Sequence, residues 1–145
     1  MTEKRFKIWK KPTFNKNETT KWNWMCQHHK NLTLGKYIDI GAFTYINASS
    51  GITLEDYVQI GSHCSLYSFS TIDNKKGKII LKKNSRLGTH SVVMPGVTIG
   101  KNAVIGAFSF VNTDIPDNCL AFGIPANVVR KLNKKEIQKM CEVIK

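Results

Sequence analysis

The sequence predicts an all-β fold, a parallel β-helix of about four coils, on three observations. The first is a period of six. From Leu81 the chain reads L-K-K-N-S-R, L-G-T-H-S-V, V-M-P-G-V-T, I-G-K-N-A-V, I-G-A-F-S-F, V-N-T-D-I-P, with an aliphatic residue opening each unit at Leu81, Leu87, Val93, Ile99, Ile105 and Val111. The second is a small or β-branched residue four places on, at Ser85, Ser91, Val97, Ala103 and Ser109. The third is the same period upstream, at Leu34, Ile40 and Ile46 and again at Leu54, Ile60, Leu66 and Ile72. A short fixed period marks a solenoid, and three such faces close one triangular coil. Amphipathic hairpins can imitate the alternation but not the recurrent small residue.

Residues 1–31 lie outside the period and are expected to form an N-terminal arm. Three tryptophans (Trp9, Trp22, Trp24) in so polar a segment point to an arm lying on the solenoid or on a neighbouring subunit, because an open coil end is a strand edge that needs covering. The solenoid is expected over 32–116. Its opening Leu, Ile and Val residues point inward and stack on their equivalents, while glycine or another small residue takes the corner. Backbone groups pair between coils. The slip between Ile46 and Leu54 and the step from Ile72 to Leu81 must bulge at corners, since an insertion within a face would shift the stack out of register. Loops leaving a rigid scaffold are where binding residues gather. After Pro116 the period breaks, and 117–145 is read as a C-terminal extension. There Asn133 as N-cap, Glu136 three residues on, and Ile137, Met140 and Val143 at helical spacing predict a short helix.

At 145 residues the chain is long enough for one domain with its own core. It has no apolar run near the roughly 18 residues of a membrane helix. Lys4, Arg5 and Lys7 have no apolar stretch behind them, which points away from a signal peptide and to a cytoplasmic location. Cys26, Cys64, Cys119 and Cys141 are scattered without C-x-x-C spacing, so neither a zinc site nor a disulfide framework is indicated. The formal charge of +12 favours anionic partners. Nucleic acid and a polyphosphate metabolite both qualify, but no nucleic-acid-binding motif accompanies the charge. The lysines of the tails and of the 74–83 loop also serve simply as solvated faces.

The segment G-T-H-S-V-V-M-P-G-V-T-I-G-K-N-A-V-I-G-A-F-S-F-V, followed by D-I-P and G-I-P-A-N-V-V-R, resembles the hexapeptide-repeat acyltransferases. The resemblance covers roughly residues 32–132. It implies a left-handed helix, a homotrimer with active sites at subunit interfaces, and acetyl-CoA as co-substrate with no metal required. Carried over by position, it implies that Thr89 and Ala107 line the pantetheine arm and that Arg130, assisted by Lys131, meets the CoA phosphates. Asn127 and Thr113 stand where sugar O-acetyltransferases of the family often carry Arg and Lys.

Acyl transfer requires a proton acceptor for the attacking nitrogen or oxygen, and histidine suits that task. His28 and His29 lie in the arm and are read as surface residues, and His90 as a corner residue. His63, in Q-I-G-S-H-C-S-L-Y-S, precedes the loop and is read as the catalytic base. Tyr67, Ser68 and Asp73 are the candidate acceptor-binding residues. The loop segment F-S-T-I-D-N-K-K-G-K has no histidine, where sugar O-acetyltransferases carry a catalytic one, and this favours an amine over a hydroxyl. The expected activity is N-acetylation of an amino sugar, nucleotide-linked and used in surface polysaccharide (lipopolysaccharide) synthesis. The alternatives are O-acetylation of a small-molecule hydroxyl and a non-catalytic trimeric scaffold. A metal-dependent hydratase on this fold needs three imidazoles, whereas His63 and His90 stand apart in sequence.

Overall fold

The computed structural model describes residues 8–142 and shows a triangular parallel solenoid. Its first coil comprises β1 (Met25–Gln27), a 3-10 turn at His29–Asn31, β2 (Leu32–Leu34) and β3 (Asp39–Ile40). The second comprises β4 (Tyr45–Asn47), β5 (Ile52–Leu54) and β6 (Gln59–Ile60). The third holds β7 (Ser65–Tyr67), a projecting hairpin of β8 (Phe69–Ser70) and β9 (Lys75–Lys76), then β10 (Ile79–Leu81) and β11 (Arg86–Leu87). The fourth is β12 (Val92–Val93), β13 (Thr98–Ile99) and β14 (Val104–Ile105), and the fifth begins with β15 (Phe110–Val111) and ends with β16 (Cys119–Gly123). β17 (Ala126–Lys131) folds back antiparallel on β16, and the chain enters helix α1 (Lys134–Glu142).

The coils stack into three parallel sheets. These are β1-β4-β7-β12-β15, then β2-β5-β10-β13, then β3-β6-β11-β14-β16 extended by β17. Equivalent residues pair directly: Ile46 with Leu66, Leu66 with Val93, Val93 with Val111. Each buried aliphatic side chain in these columns contributes roughly 1.5–3 kcal/mol. The small fourth-place residues Ser85, Ser91, Ala103 and Ser109 are also buried, turned inward just before each strand where bulk has no room.

There are five coils rather than four, and the reason is local. The first rung lies at Met25–Gln27, inside the segment expected as an arm, because Cys26 stands where later rungs carry Ile, Leu or Val. The last rung lies beyond Pro116, where Ala121 pairs with Ile105. Ile72 is not a rung residue. It is 95% exposed on the hairpin, and Ile79 and Leu81 fill the second face in its place. The insertion does bulge from a corner, as register requires.

The N-terminal segment covers the open first coil. Trp24 is buried, the Trp9 indole N–H donates to the Ile38 carbonyl at 2.9 Å, and Phe14 packs edge-on against Trp24. At the other end the capping box forms as predicted. The Glu136 amide donates to Asn133 Oδ1 and the Asn133 amide to Glu136 Oε2, both at 2.8 Å. Val143 of the predicted helix, and Lys4, Arg5 and Lys7, lie outside the described residues.

Two of the prism's long edges are columns of left-handed residues. Between the second and third sheets run Tyr37, Tyr57, Asn84, Asn102 and Asn118, and between the third and first run Phe43, His63, His90 and Phe108, all with φ from 55° to 64°. In the first column Asn84 Nδ2 donates to Asn102 Oδ1, and Asn102 Nδ2 to Asn118 Oδ1, each at 2.9 Å. The third edge, between the first and second sheets, carries the slips and the hairpin.

Candidate functional site

The edge between the third and first sheets is built by one recurring tetrad: Gly41-Ala42-Phe43-Thr44, Gly61-Ser62-His63-Cys64, Gly88-Thr89-His90-Ser91 and Gly106-Ala107-Phe108-Ser109. The glycine comes first because the coils approach backbone to backbone. A Cβ on Gly88 would lie 2.5 Å from the Ala107 nitrogen, a distance no real side chain tolerates. The third residue turns the chain in the left-handed region, and its N–H reaches the neighbouring coil. His63 donates to the Ala42 carbonyl at 3.0 Å, His90 to Ser62 at 3.1 Å, and Phe108 to Thr89 at 2.9 Å.

This turn aims the third side chain outward, so equivalent rings meet. Phe43 and His63 lie 5.2 Å apart, His63 and His90 stack at 4.7 Å with 5° between planes, and His90 stacks on Phe108 at 4.8 Å. Phe43 and Phe108 are 65% and 63% exposed, so the column forms an open ladder rather than a core. His63 and His90, expected to stand apart, are therefore adjacent. The third coil carries the hairpin insertion, and one full turn of it separates them. The available signal was that the spacing from His63 to His90 equals that of Leu66 to Val93, two stacked residues.

Thr89 sits within this ladder. Its Oγ1 lies 2.7 Å from the Ser62 carbonyl oxygen, 3.2 Å from Ser62 Oγ and 2.9 Å from His90 Nδ1. Ala107 lies one coil on, exposed, over Gly88. The structure thus brings His63, Thr89 and Ala107 together on one edge.

The other expected site residues lie elsewhere on the chain. Tyr67 and Ser68 stand at the far end of β7 from His63, toward the hairpin edge. Tyr67 is half-buried with its ring 5.6 Å from Tyr45. Ser68 is fully buried, donating to the Asn47 carbonyl at 2.7 Å and accepting from the Ser50 amide at 2.9 Å. That hydroxyl shapes the corner and does not face a ligand. Asp73 is exposed on the hairpin, 3.5 Å from Lys75 Nζ. The Ser70 hydroxyl above all, and then Lys75, hold its carboxyl below the usual carboxylate range. Arg130 and Lys131 are on β17. The Arg130 guanidinium makes two bonds to Glu136, at 2.7 and 2.9 Å, so its charge is already matched within the chain. Lys131 is exposed.

Two buried thiols are unsuited to act as nucleophiles. Burial pushes the Cys26 thiol up to about 12 and the Cys64 thiol upward too, away from the thiolate that would react. Among the described residues, no group of three or more His, Cys, Asp or Glu side chains could hold a metal ion. No helix among them is long and apolar enough to cross a membrane.

Comparison with known proteins agrees with this architecture. Residues 78–113 match the family described as bacterial transferase hexapeptide (six repeats). Over 119 residues the chain is 36% identical to a galactoside O-acetyltransferase of Lactococcus lactis, a match covering 72% of this chain and 58% of that protein. The chain therefore spans just over half the length of that curated relative. The structure superposes on a hexapeptide-repeat acetyltransferase of Vibrio cholerae complexed with acetyl-CoA with a TM-score of 0.73 at 28% identity, covering 77% of this chain and 66% of that one. It also superposes on AntD, an N-acyltransferase of Bacillus cereus in complex with dTDP and 3-hydroxybutyryl-CoA, with a TM-score of 0.68 at 27% identity, covering 77% and 68%.

Proposed function

We propose that this hexapeptide-repeat chain is an acetyl-CoA-dependent N-acetyltransferase acting on an amino sugar, nucleotide-linked and destined for surface polysaccharide. The observation that carries the reading is the open ladder, where two imidazoles stand beside Thr89 and Ala107, the residues assigned to the pantetheine arm. There the acceptor amine attacks the thioester carbonyl, its N–H proton passes to an imidazole of the ladder, and the C–S bond breaks. The sequence gives the imidazole role to His63. A backbone N–H of the edge is suited to the developing oxyanion. The likeness to AntD, which holds dTDP and 3-hydroxybutyryl-CoA together, and the charge of +12 support a polyanionic substrate pair.

The candidate site is divided between two edges of one prism, with His63 on the ladder and Tyr67 and Asp73 toward the hairpin. A homotrimer unites them by setting the hairpin edge of one subunit against the ladder of the next, and Lys131 remains a free cation for the CoA phosphates. Mixing tests this arrangement. A His63→Ala, His90→Asn double variant and an Asp73→Ala variant, each inactive alone, regain turnover when refolded together. No regain, together with a monomeric sedimentation profile, would count against a shared site.

A second reading, O-acetylation, draws on the likeness to a galactoside O-acetyltransferase. Thiol release with acetyl-CoA against nucleotide-linked amino sugars and against galactosides separates the two. Turnover confined to the galactosides would replace the amine reading. A failure of CoA to raise the melting temperature would favour a scaffold instead.

A further inference from the structure

The two imidazoles share an edge but not a chemical state. Thr89 Oγ1 has three polar neighbours: the Ser62 carbonyl oxygen at 2.7 Å, His90 Nδ1 at 2.9 Å and Ser62 Oγ at 3.2 Å. A carbonyl only accepts, so the single proton of the Thr89 hydroxyl goes to Ser62. Toward its other two neighbours Thr89 can then only accept. Ser62 Oγ donates to it, and the 2.9 Å contact requires His90 Nδ1 to carry a proton and donate it. A neutral imidazole has one N–H, so His90 Nε2 is left with its lone pair. The ring is exposed and is clamped face to face between His63 and Phe108, which fixes its plane. His63 has no equivalent partner. Among the described residues its ring nitrogens make no hydrogen bond, and only stacking against Phe43 and His90 holds it.

We infer that His90, not His63, is the proton acceptor of the acyl transfer, and that Thr89 is the residue that positions it by selecting its tautomer. This rests on the acyl-transfer reading above. In the step, the acceptor nitrogen forms its bond to the thioester carbon and its proton moves to His90 Nε2. The C–S bond then breaks, and the same proton passes to the departing sulfur, returning His90 to its starting state. A base must offer an unprotonated nitrogen in a fixed direction, and the Thr89 contact supplies both conditions to His90 alone. His63 then serves as the stacking wall that keeps the ring in plane.

The test combines a spectroscopic and a kinetic measurement on the full chain. In nitrogen-15 histidine spectra of the neutral protein, His90 should show a protonated Nδ1 and a bare Nε2, while His63 shows an average of both tautomers. Thr89→Val should shift His90 toward an average, and Thr89→Ser should restore the fixed state. Asparagine tolerates the left-handed corner, so His90→Asn keeps the fold. It should lower kcat by about 100-fold or more, with KM for acetyl-CoA within about twofold, whereas His63→Asn should lower it by less than about tenfold. A proton found on His90 Nε2, or a His90→Asn variant with more than half the wild-type kcat, overturns the inference. Wild-type silence toward every acceptor sinks the acyl-transfer reading, and a working wild type with an active His90→Asn sinks this inference alone.

Discussion

Two edges of the same prism use the same backbone turn and put it to opposite ends. On the amide edge, Asn84 and Asn102 are buried, and the Nδ2 of each donates to the next asparagine of the column, Asn102 and Asn118 in turn. On the ladder edge, Phe43, His63, His90 and Phe108 point outward and meet one another through ring contacts, with His90 also bonded to Thr89. Asparagine is among the non-glycine residues that enter the left-handed region most readily, and its amide bridges from one coil to the next. Histidine enters it more readily than most, whereas phenylalanine is less at ease there, at a cost of the order of 1 kcal/mol or more. The ladder column carries exposed rings along its whole length, whereas the other column passes from the stacked Tyr37 and Tyr57 to three asparagines that bond coil to coil.

That contrast can be broken in graded steps. The largest effect is expected from Gly88→Ala, which would set a methyl group 2.5 Å from the Ala107 nitrogen on the ladder edge. The coils would have to separate, and we expect a loss of more than about 4 kcal/mol, or no folded protein, by chemical denaturation. Next is Asn102→His, which moves an imidazole from the exposed edge to the buried one and leaves the amides of Asn84 and Asn118 without their partner. A buried polar group left unpaired costs about 1–3 kcal/mol, so a total near 2–4 kcal/mol is expected. A melting temperature within a degree of wild type would show that the amide column does not hold the coils together.

The reverse exchange, His90→Asn, should change stability by less than about 1 kcal/mol, because the ring is exposed and asparagine suits the turn. A large destabilisation there would make the ladder a structural element after all. The smallest effect concerns the capping box. Hydrogen bonds from Arg130, with help from the Asn133 amide, hold Glu136 down from its usual 4.5 to about 2. A depressed carboxyl contributes fully above its unfolded value and loses that contribution as pH falls through the folded one, so α1 should fray between about pH 4.5 and 2. Glu136→Gln should remove that step from the helical circular dichroism signal and leave the β signal untouched.

The rungs were legible in the sequence because burial on one side forces an aliphatic residue at a fixed spacing. They failed to show only where another small residue did the same work, as Cys26 and Ala121 do at the two ends. The helix was legible from Asn133 and Glu136, whose side chains close on each other through local geometry alone. The ladder was only half legible. His63 could be singled out by its outward position, but its contact with His90 depends on how many residues the intervening coil holds, and Ile72 made that coil look shorter than it is. The burial of Ser68 was not legible, since its partners Asn47 and Ser50 lie a coil away along the chain, and the pairing of Arg130 with Glu136 was not, since it depends on how α1 leaves β17.

The hairpin from Phe69 to Lys76 leaves the third coil and returns with Leu66 and Leu81 still on their columns. Whatever residues it carries can be rewritten without renegotiating the interior, and the interior can drift without retuning the hairpin.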